Sequence, residues 1–223
     1  MIYVLAGFIF GLLVPYMSRR FAKFMPATPA YALYRLVKPN KIAKKAKLDN
    51  RYKKLRNKYF ARSLVYAFIN ALFSALIYYK FENDTGWYLG FAWVLLLLTE
   101  IDFKMFLLPD ILTIPLLISG FVFASFENEY ISAAESSLAA AAGYVLPVVA
   151  TLLMLWRSVD AFGGGDIKLL AAIGAWLGVD GVIYTILLSC LVFGIYSLIR
   201  KQNSGAFGPA LAVSAIVMLL CIF

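Results

Sequence analysis

Long apolar runs, separated by short clusters of charged and polar residues, divide this chain into eight stretches: roughly 2–17, 63–79, 87–101, 111–126, 138–156, 166–178, 181–199 and 207–223. A helix needs about 20 mostly apolar residues to cross a bilayer core, and runs of this kind read as membrane spans. The pattern predicts an all-α, polytopic membrane helix bundle with about eight transmembrane spans. One junction stays open: only Asp180 interrupts 169–199, which is one long span or two.

Charge favours two. Lys and Arg collect on the cytoplasmic side of membrane proteins. With eight spans and the N-terminus outside, the inside loops hold 20 of the 21 Lys and Arg residues, and only Lys80 falls outside. A single span over 169–199 would put Arg200 and Lys201 outside. The first segment, MIYVLAGFIFGLLVPYM, has its charge after the apolar run, as Arg19, Arg20 and Lys23. A cleaved signal peptide has charge before it, so this reads as a retained first span. Tyr78, Tyr79, Trp87 and Tyr88 are expected at the outer interface, where amphipathic rings anchor.

Composition agrees with the pattern: 63% hydrophobic and 15% charged, with net charge +9. Most of the basic charge lies in 18–62, which carries 15 Lys and Arg and a single acid, Asp49. The chain therefore divides into a first span plus basic cytoplasmic loop (1–62) and a membrane core (63–223). The loop is expected to be helical in part and to lie against anionic lipid, at about 1 kcal/mol per basic residue near the surface. The other reading is a docking surface for an acidic partner. No nucleic-acid-binding fold is recognisable in it. Cys190 and Cys221 lie in apolar runs and there is no His. This excludes a disulfide framework and leaves too few ligands for a zinc site; both thiols are expected to be buried.

Two aspartates sit at the predicted inner ends of spans: Asp102 in LLLLTEIDFKMFLLPDILTIPLL and Asp166 in AFGGGDIKLL. Ionisable groups at a membrane boundary are costly unless paired or hydrated, and mark function by default. Two carboxylates brought close share a proton, because both cannot ionise easily. The ionised member can take a proton from water while the protonated one donates to a scissile carbonyl. Gly163, Gly164 and Gly165 remove side chains beside Asp166, allowing close backbone approach and unusual dihedral angles. The plainer alternative makes Asp166 the cap of the next helix. Gly174 and Gly178 have the spacing of closely packed membrane helices. Asp110 after Pro109 reads as a helix start. Glu100, two positions from Asp102, faces elsewhere on the helix. Lys104 and Lys168 are candidates for supporting the carboxylates or binding substrate charge.

TEIDFKMFLLPDILTIPLL resembles the first active-site motif of the type IV prepilin peptidases, and AFGGGDIKLLAAIGAWLG resembles their second, the GxGD element. AFGPALAVSAIV resembles the family's closing span. The resemblance covers roughly 90–223. It implies an aspartic endopeptidase of the bacterial inner membrane that removes the basic leader from prepilins or pseudopilins on the cytoplasmic face. Its catalytic aspartates then map onto Asp102 and Asp166, and its glycines onto Gly163 and Gly165. Many members carry a zinc-binding domain with two CxxC pairs and methylate the new N-terminus with S-adenosylmethionine. Loop 18–62 has neither Cys nor His, so zinc, S-adenosylmethionine and methylation are not expected. A presenilin-like intramembrane protease also uses GxGD but expects Tyr before the first aspartate, where this chain has Ile101. Readings from other classes are an ion-coupled transporter, for which no inverted repeat is visible, and a catalytically silent assembly protein.

Overall fold

The computed structural model of this chain describes residues 2–24, 50–81, 83–126, 129–155, 162–201 and 205–222. These form seven α-helices: α1 (Ile2–Phe24), α2 (Asn50–Lys80), α3 (Thr85–Met105), α4 (Asp110–Ser125), α5 (Ala133–Leu155), α6 (Gly164–Arg200) and α7 (Gly208–Ile222). Each of the eight apolar stretches falls on a helical segment. Five helices are long and apolar enough to cross a membrane, and α4 and α7 are shorter apolar helices. The chain is a multi-pass bundle of membrane helices. Residues 50–62 of the basic loop form the start of α2, as its helical reading expected, while 25–49, and with them the expected lipid contact, lie outside the described residues.

The outer surface is that of a protein dissolved in lipid. Leu5, Phe68, Leu72, Leu152, Leu187 and Ile199 are all exposed, while Ser18, Asn70, Ser74, Ser136 and Ser214 are buried. Small polar side chains inside a bundle supply packing and hydrogen bonds that lipid cannot. Cys190 and Cys221 correct an expectation: both are free and exposed, on α6 and α7. A thiol that favours apolar surroundings finds them on the lipid side of a membrane helix as well as in a core. Tyr88 is a second correction. It is fully buried against Phe81, with ring centroids 4.2 Å apart, while Tyr79 is exposed as an interface ring would be.

The helices pack as two compact units, Met1–Lys104 and Met105–Phe223. In the first, α1 lies against α2 with almost no side chain between them. A Cβ on Gly11 would stand 2.5 Å from the Ala67 Cα and the Tyr66 carbonyl. Asn70 Nδ2 donates to the Gly7 carbonyl at 2.9 Å, tying the two helices across this contact. Trp93 on α3 stacks on Phe10 of α1 and donates to Ser74 Oγ of α2 at 3.3 Å.

In the second unit the first half of α6 is the centre. A Cβ on Gly174 would run into the Ala139 carbonyl of α5, and one on Gly143 of α5 into the Leu170 carbonyl of α6. Ser136 Oγ donates to the Ala175 carbonyl at 2.7 Å. On the other side Trp176 Nε1 donates to the Leu116 carbonyl of α4 at 2.8 Å, and its ring stacks on Phe123. Gly120 lets α4 approach, since a Cβ there would be 2.9 Å from Ala175 Cβ. Ser132 starts α5 by accepting the Glu135 backbone N–H, in a Ser-x-x-Glu sequence typical of helix starts.

The junction left open by the sequence is resolved within α6. Inside its 37 residues Gly178 breaks the helix, with φ 74° and ψ −178°, a region that only glycine adopts readily. In a straight helix residues 164 and 193 would be about 43 Å apart. Instead the Phe207 ring packs edge-on against both Phe162 and Phe193, at 5.5 and 5.3 Å. The chain turns back at Gly178, so α6 is two antiparallel segments. Asp180 lies just beyond the turn, in the first turn of the second segment, where a carboxylate suits the exposed N–H groups.

Gly178→Ala is expected to lower the unfolding temperature in detergent, by the equivalent of about 1–3 kcal/mol for a forced backbone conformation. A side chain there would also meet Glu135 Oε1 at 2.7 Å. Gly194→Ala, where nothing lies within 4 Å, serves as the control and should unfold at or above the wild-type temperature.

Candidate functional site

The two predicted aspartates belong to different packing units. Asp102 lies in the last turn of α3 and is 4% exposed. The helix ends three residues later through Phe106, whose φ of 51° is the left-handed conformation that usually falls to glycine at a helix end. Pro109 is extended and precedes α4, which begins at Asp110. The motif from Asp102 to Asp110 is thus a helix end, a short connection and a helix start. Asp110 stands in the first turn of α4, as the Pro-Asp pair suggested, and accepts a 2.6 Å ion pair from Lys168 of α6. Both partners are about half exposed, and such pairs contribute about 0–1 kcal/mol.

Asp166 is not the helix cap. That place is taken by Gly163, which makes no side-chain capping bond, and Asp166 is the third residue of α6. Its carboxylate stands in the first turn, where unpaired backbone N–H groups favour negative charge. It is half-buried, unlike Asp102.

The three glycines separate by what a side chain would meet. A Cβ on Gly163 would sit 3.1 Å from Asp166 Oδ2, crowding the carboxylate itself. One on Gly165 would be 2.9 Å from Leu108 Cβ and 3.2 Å from the Leu108 carbonyl. Gly164 has nothing within 4 Å. The first and third positions are therefore closed and the middle one is open, which is the GxGD pattern expressed as space. Gly163 has φ −70°, and Gly178 has the one positive φ among the described glycines. Close approach is the reason for these residues, and the unusual dihedral angles expected of them are not found.

Sequence reasoning missed two supports. Phe207 of the FGP sequence packs on Phe162, the residue before Gly163, and so holds the entry to α6. The FGP match was the available signal, but its contact was not visible in it. The second is Glu100. It is completely buried and receives Arg62 Nη2 at 2.8 Å, Tyr66 Oη at 2.6 Å and Lys104 Nζ at 2.8 Å. Lys104 is thus held by Glu100, and it also donates to Ser18 Oγ at 2.5 Å. Among the described residues no three Cys, Asp or Glu side chains converge as a metal site would require.

A family model described as the type IV leader peptidase family matches residues 89–198. Curated proteins named prepilin leader peptidase/N-methyltransferase are similar to this chain. The one from Aeromonas salmonicida is 39% identical over 137 residues, covering 58% of this chain and 47% of its own. The Xanthomonas campestris protein is 39% identical over 150 residues, covering 59% and 52%. The Vibrio cholerae protein is 29% identical over 171 residues, covering 72% and 67%. The chain spans about half the length of most of these relatives. No solved structure matches.

The spacing around the glycines predicts opposite outcomes at neighbouring positions. Gly165→Ala is expected to lower the unfolding temperature, with a cost of about 1–3 kcal/mol for overpacking. Gly164→Ala should leave it unchanged or raise it, since alanine is favoured over glycine in a helix by about 1 kcal/mol. Thermal unfolding of both variants in one detergent checks this.

Proposed function

Residues 89–198 of this chain belong to the type IV leader peptidase family, and we propose that the protein is a membrane aspartic endopeptidase that removes the leader from prepilins or pseudopilins. The observation that carries this reading is that the matched region includes both Asp102 and Asp166, each in a terminal turn of a helix.

In the proposed mechanism the two carboxylates hold one proton between them. The ionised one takes a proton from a water molecule, whose oxygen bonds to the scissile carbonyl carbon. The protonated one gives its proton to the carbonyl oxygen. Collapse of the tetrahedral intermediate breaks the C–N bond, and the amine leaves with a proton from the dyad. The apparent pKa values belong to the pair, and activity should pass through a maximum between them. Gly163 leaves space beside the Asp166 carboxylate, which supports its role at the reacting bond. Lys168, paired with the exposed Asp110, lies on the same turn region of α6 and can meet substrate charge.

The reading extends to orientation. The active site faces the cytoplasm of a bacterial inner membrane and the N-terminus lies outside, on the strength of the Lys and Arg distribution. Loop 18–62 associates with anionic lipid. The product carries no added methyl group and the reaction uses neither zinc nor S-adenosylmethionine; the support for this is the lack of His and the placement of both Cys in apolar helices.

The test is cleavage of a purified prepilin by the full chain in detergent, followed at the substrate's N-terminus by mass spectrometry. Wild type should remove the leader. Asp102→Asn and Asp166→Asn should each lower turnover by about a hundredfold or more, the scale of a lost general acid or base. Intact turnover by either variant removes the dyad. A product heavier by one methyl group, seen on adding S-adenosylmethionine, removes the claim that methylation is absent.

A further inference from the structure

The charge cluster around the buried Glu100 carboxylate, whose partners Arg62 and Lys104 are partly exposed, has no part in the chemistry above. Its carboxylate is fully enclosed on α3; its direct partners come from α2 and α3, and α1 is reached through Lys104. Oε2 accepts from Arg62 and Tyr66 of α2, at 2.8 and 2.6 Å. Oε1 faces Lys104 Nζ at 2.8 Å as an ion pair. Lys104 in turn donates to Ser18 Oγ and reaches the Pro15 carbonyl of α1 at 3.5 Å. The network closes around the last turns of α3, the part of the helix that carries Asp102.

Stability is a poor explanation for such a cluster. Replacing a buried ion pair by apolar side chains of similar size is often neutral or stabilising. A membrane bundle would have even more reason to use leucine there. What the polar contacts of a buried carboxylate supply instead is a preferred arrangement, since a rotation or slide of α3 would take Glu100 Oε2 away from Arg62 and Tyr66. Lipid-facing leucines do not distinguish one helix rotation from another in this way. Glu100 and Asp102 are two residues apart, about 200° around the helix. Glu100 therefore grips α2 directly and α1 through Lys104, while Asp102 projects from another side of the same turn.

We propose that Glu100 is a positioning residue: with Arg62, Tyr66 and Lys104 it locks the rotation and depth of the end of α3, and so sets where Asp102 stands. This rests on the reading of Asp102 as one of the two reacting carboxylates. A displacement near 1 Å at a reacting group can cost about a hundredfold in rate, so small releases of the lock are readable. Tyr66→Phe is the mildest probe, because it removes one hydroxyl and keeps the ring. Glu100→Gln removes the charge that gathers both cations.

Prepilin cleavage by the full chain in detergent gives the first readout. Tyr66→Phe and Glu100→Gln should lower kcat by about tenfold to a hundredfold, with KM held within about twofold. The double variant should be no slower than Glu100→Gln alone, because Tyr66 acts through Glu100. Lower thermal stability with unchanged kcat per folded enzyme, or losses that multiply, would overturn the proposal. The second readout needs no activity. In a background with Cys190→Ser and Cys221→Ser, the thiol of Asp102→Cys is labelled with a maleimide, with and without Tyr66→Phe. The labelling rate should change by about fivefold or more as the turn is released; an unchanged rate overturns the lock. If wild type cuts nothing, the peptidase reading fails by itself, and the labelling rate still decides whether Glu100 positions residue 102.

Discussion

The approach of α5 and α6, backbone against backbone, is the constraint on which the second unit depends. In lipid there is no hydrophobic force to bring helices together, so contact area and hydrogen bonds must do so. Gly143 and Gly174 each face a carbonyl of the opposite helix, and Ser136 adds a hydrogen bond between them. With α6 held on this side and Trp176 bonded to α4 on the other, its N-terminal turn has little freedom. That turn carries Gly163, Gly165 and Asp166. The glycine motif is the end of a packing surface that continues down the helix, and the small residues at 171–175 belong to it.

The first unit solves the same problem with charge. Its helices meet through Gly11 and Asn70 along their length, and through Glu100 and its three donors near one end. The two aspartates are therefore supported by different physics. One lies on a helix located by steric fit, and the other on a helix located by a buried carboxylate and its polar partners.

Much of this was legible in the sequence. The spans were visible because charge punctuates them, and both aspartates stood out because carboxylates at span ends are rare. The turn inside 169–199 was visible only as a charge imbalance. The residue responsible, Gly178, looked like another small packing residue, since nothing in a one-dimensional pattern separates a glycine needed for φ from one needed for space. The cysteines were misplaced for a related reason: in a membrane helix the core face and the lipid face are both apolar, so hydrophobicity does not say which way a side chain points. Glu100 was read correctly as facing away from Asp102. Its partners, 34 and 38 residues away on α2, could be found only in the folded chain.

The lengths of the second unit's helices have a consequence for the bilayer around it. α4 has 16 residues, α7 has 15, and the segment of α6 before Gly178 has 14. At 1.5 Å per residue these reach about 21–24 Å, against a hydrocarbon core of about 30 Å. Lipid meeting the exposed faces of α4 and α7 thins toward them, at a cost of fractions of a kcal/mol per ångström. The aqueous boundary then dips inward beside this unit, and water reaches the ends of its helices without crossing a full leaflet of chains. For the hydrolysis proposed above, whose second reactant is water, such a depression shortens the path of water to the helix ends.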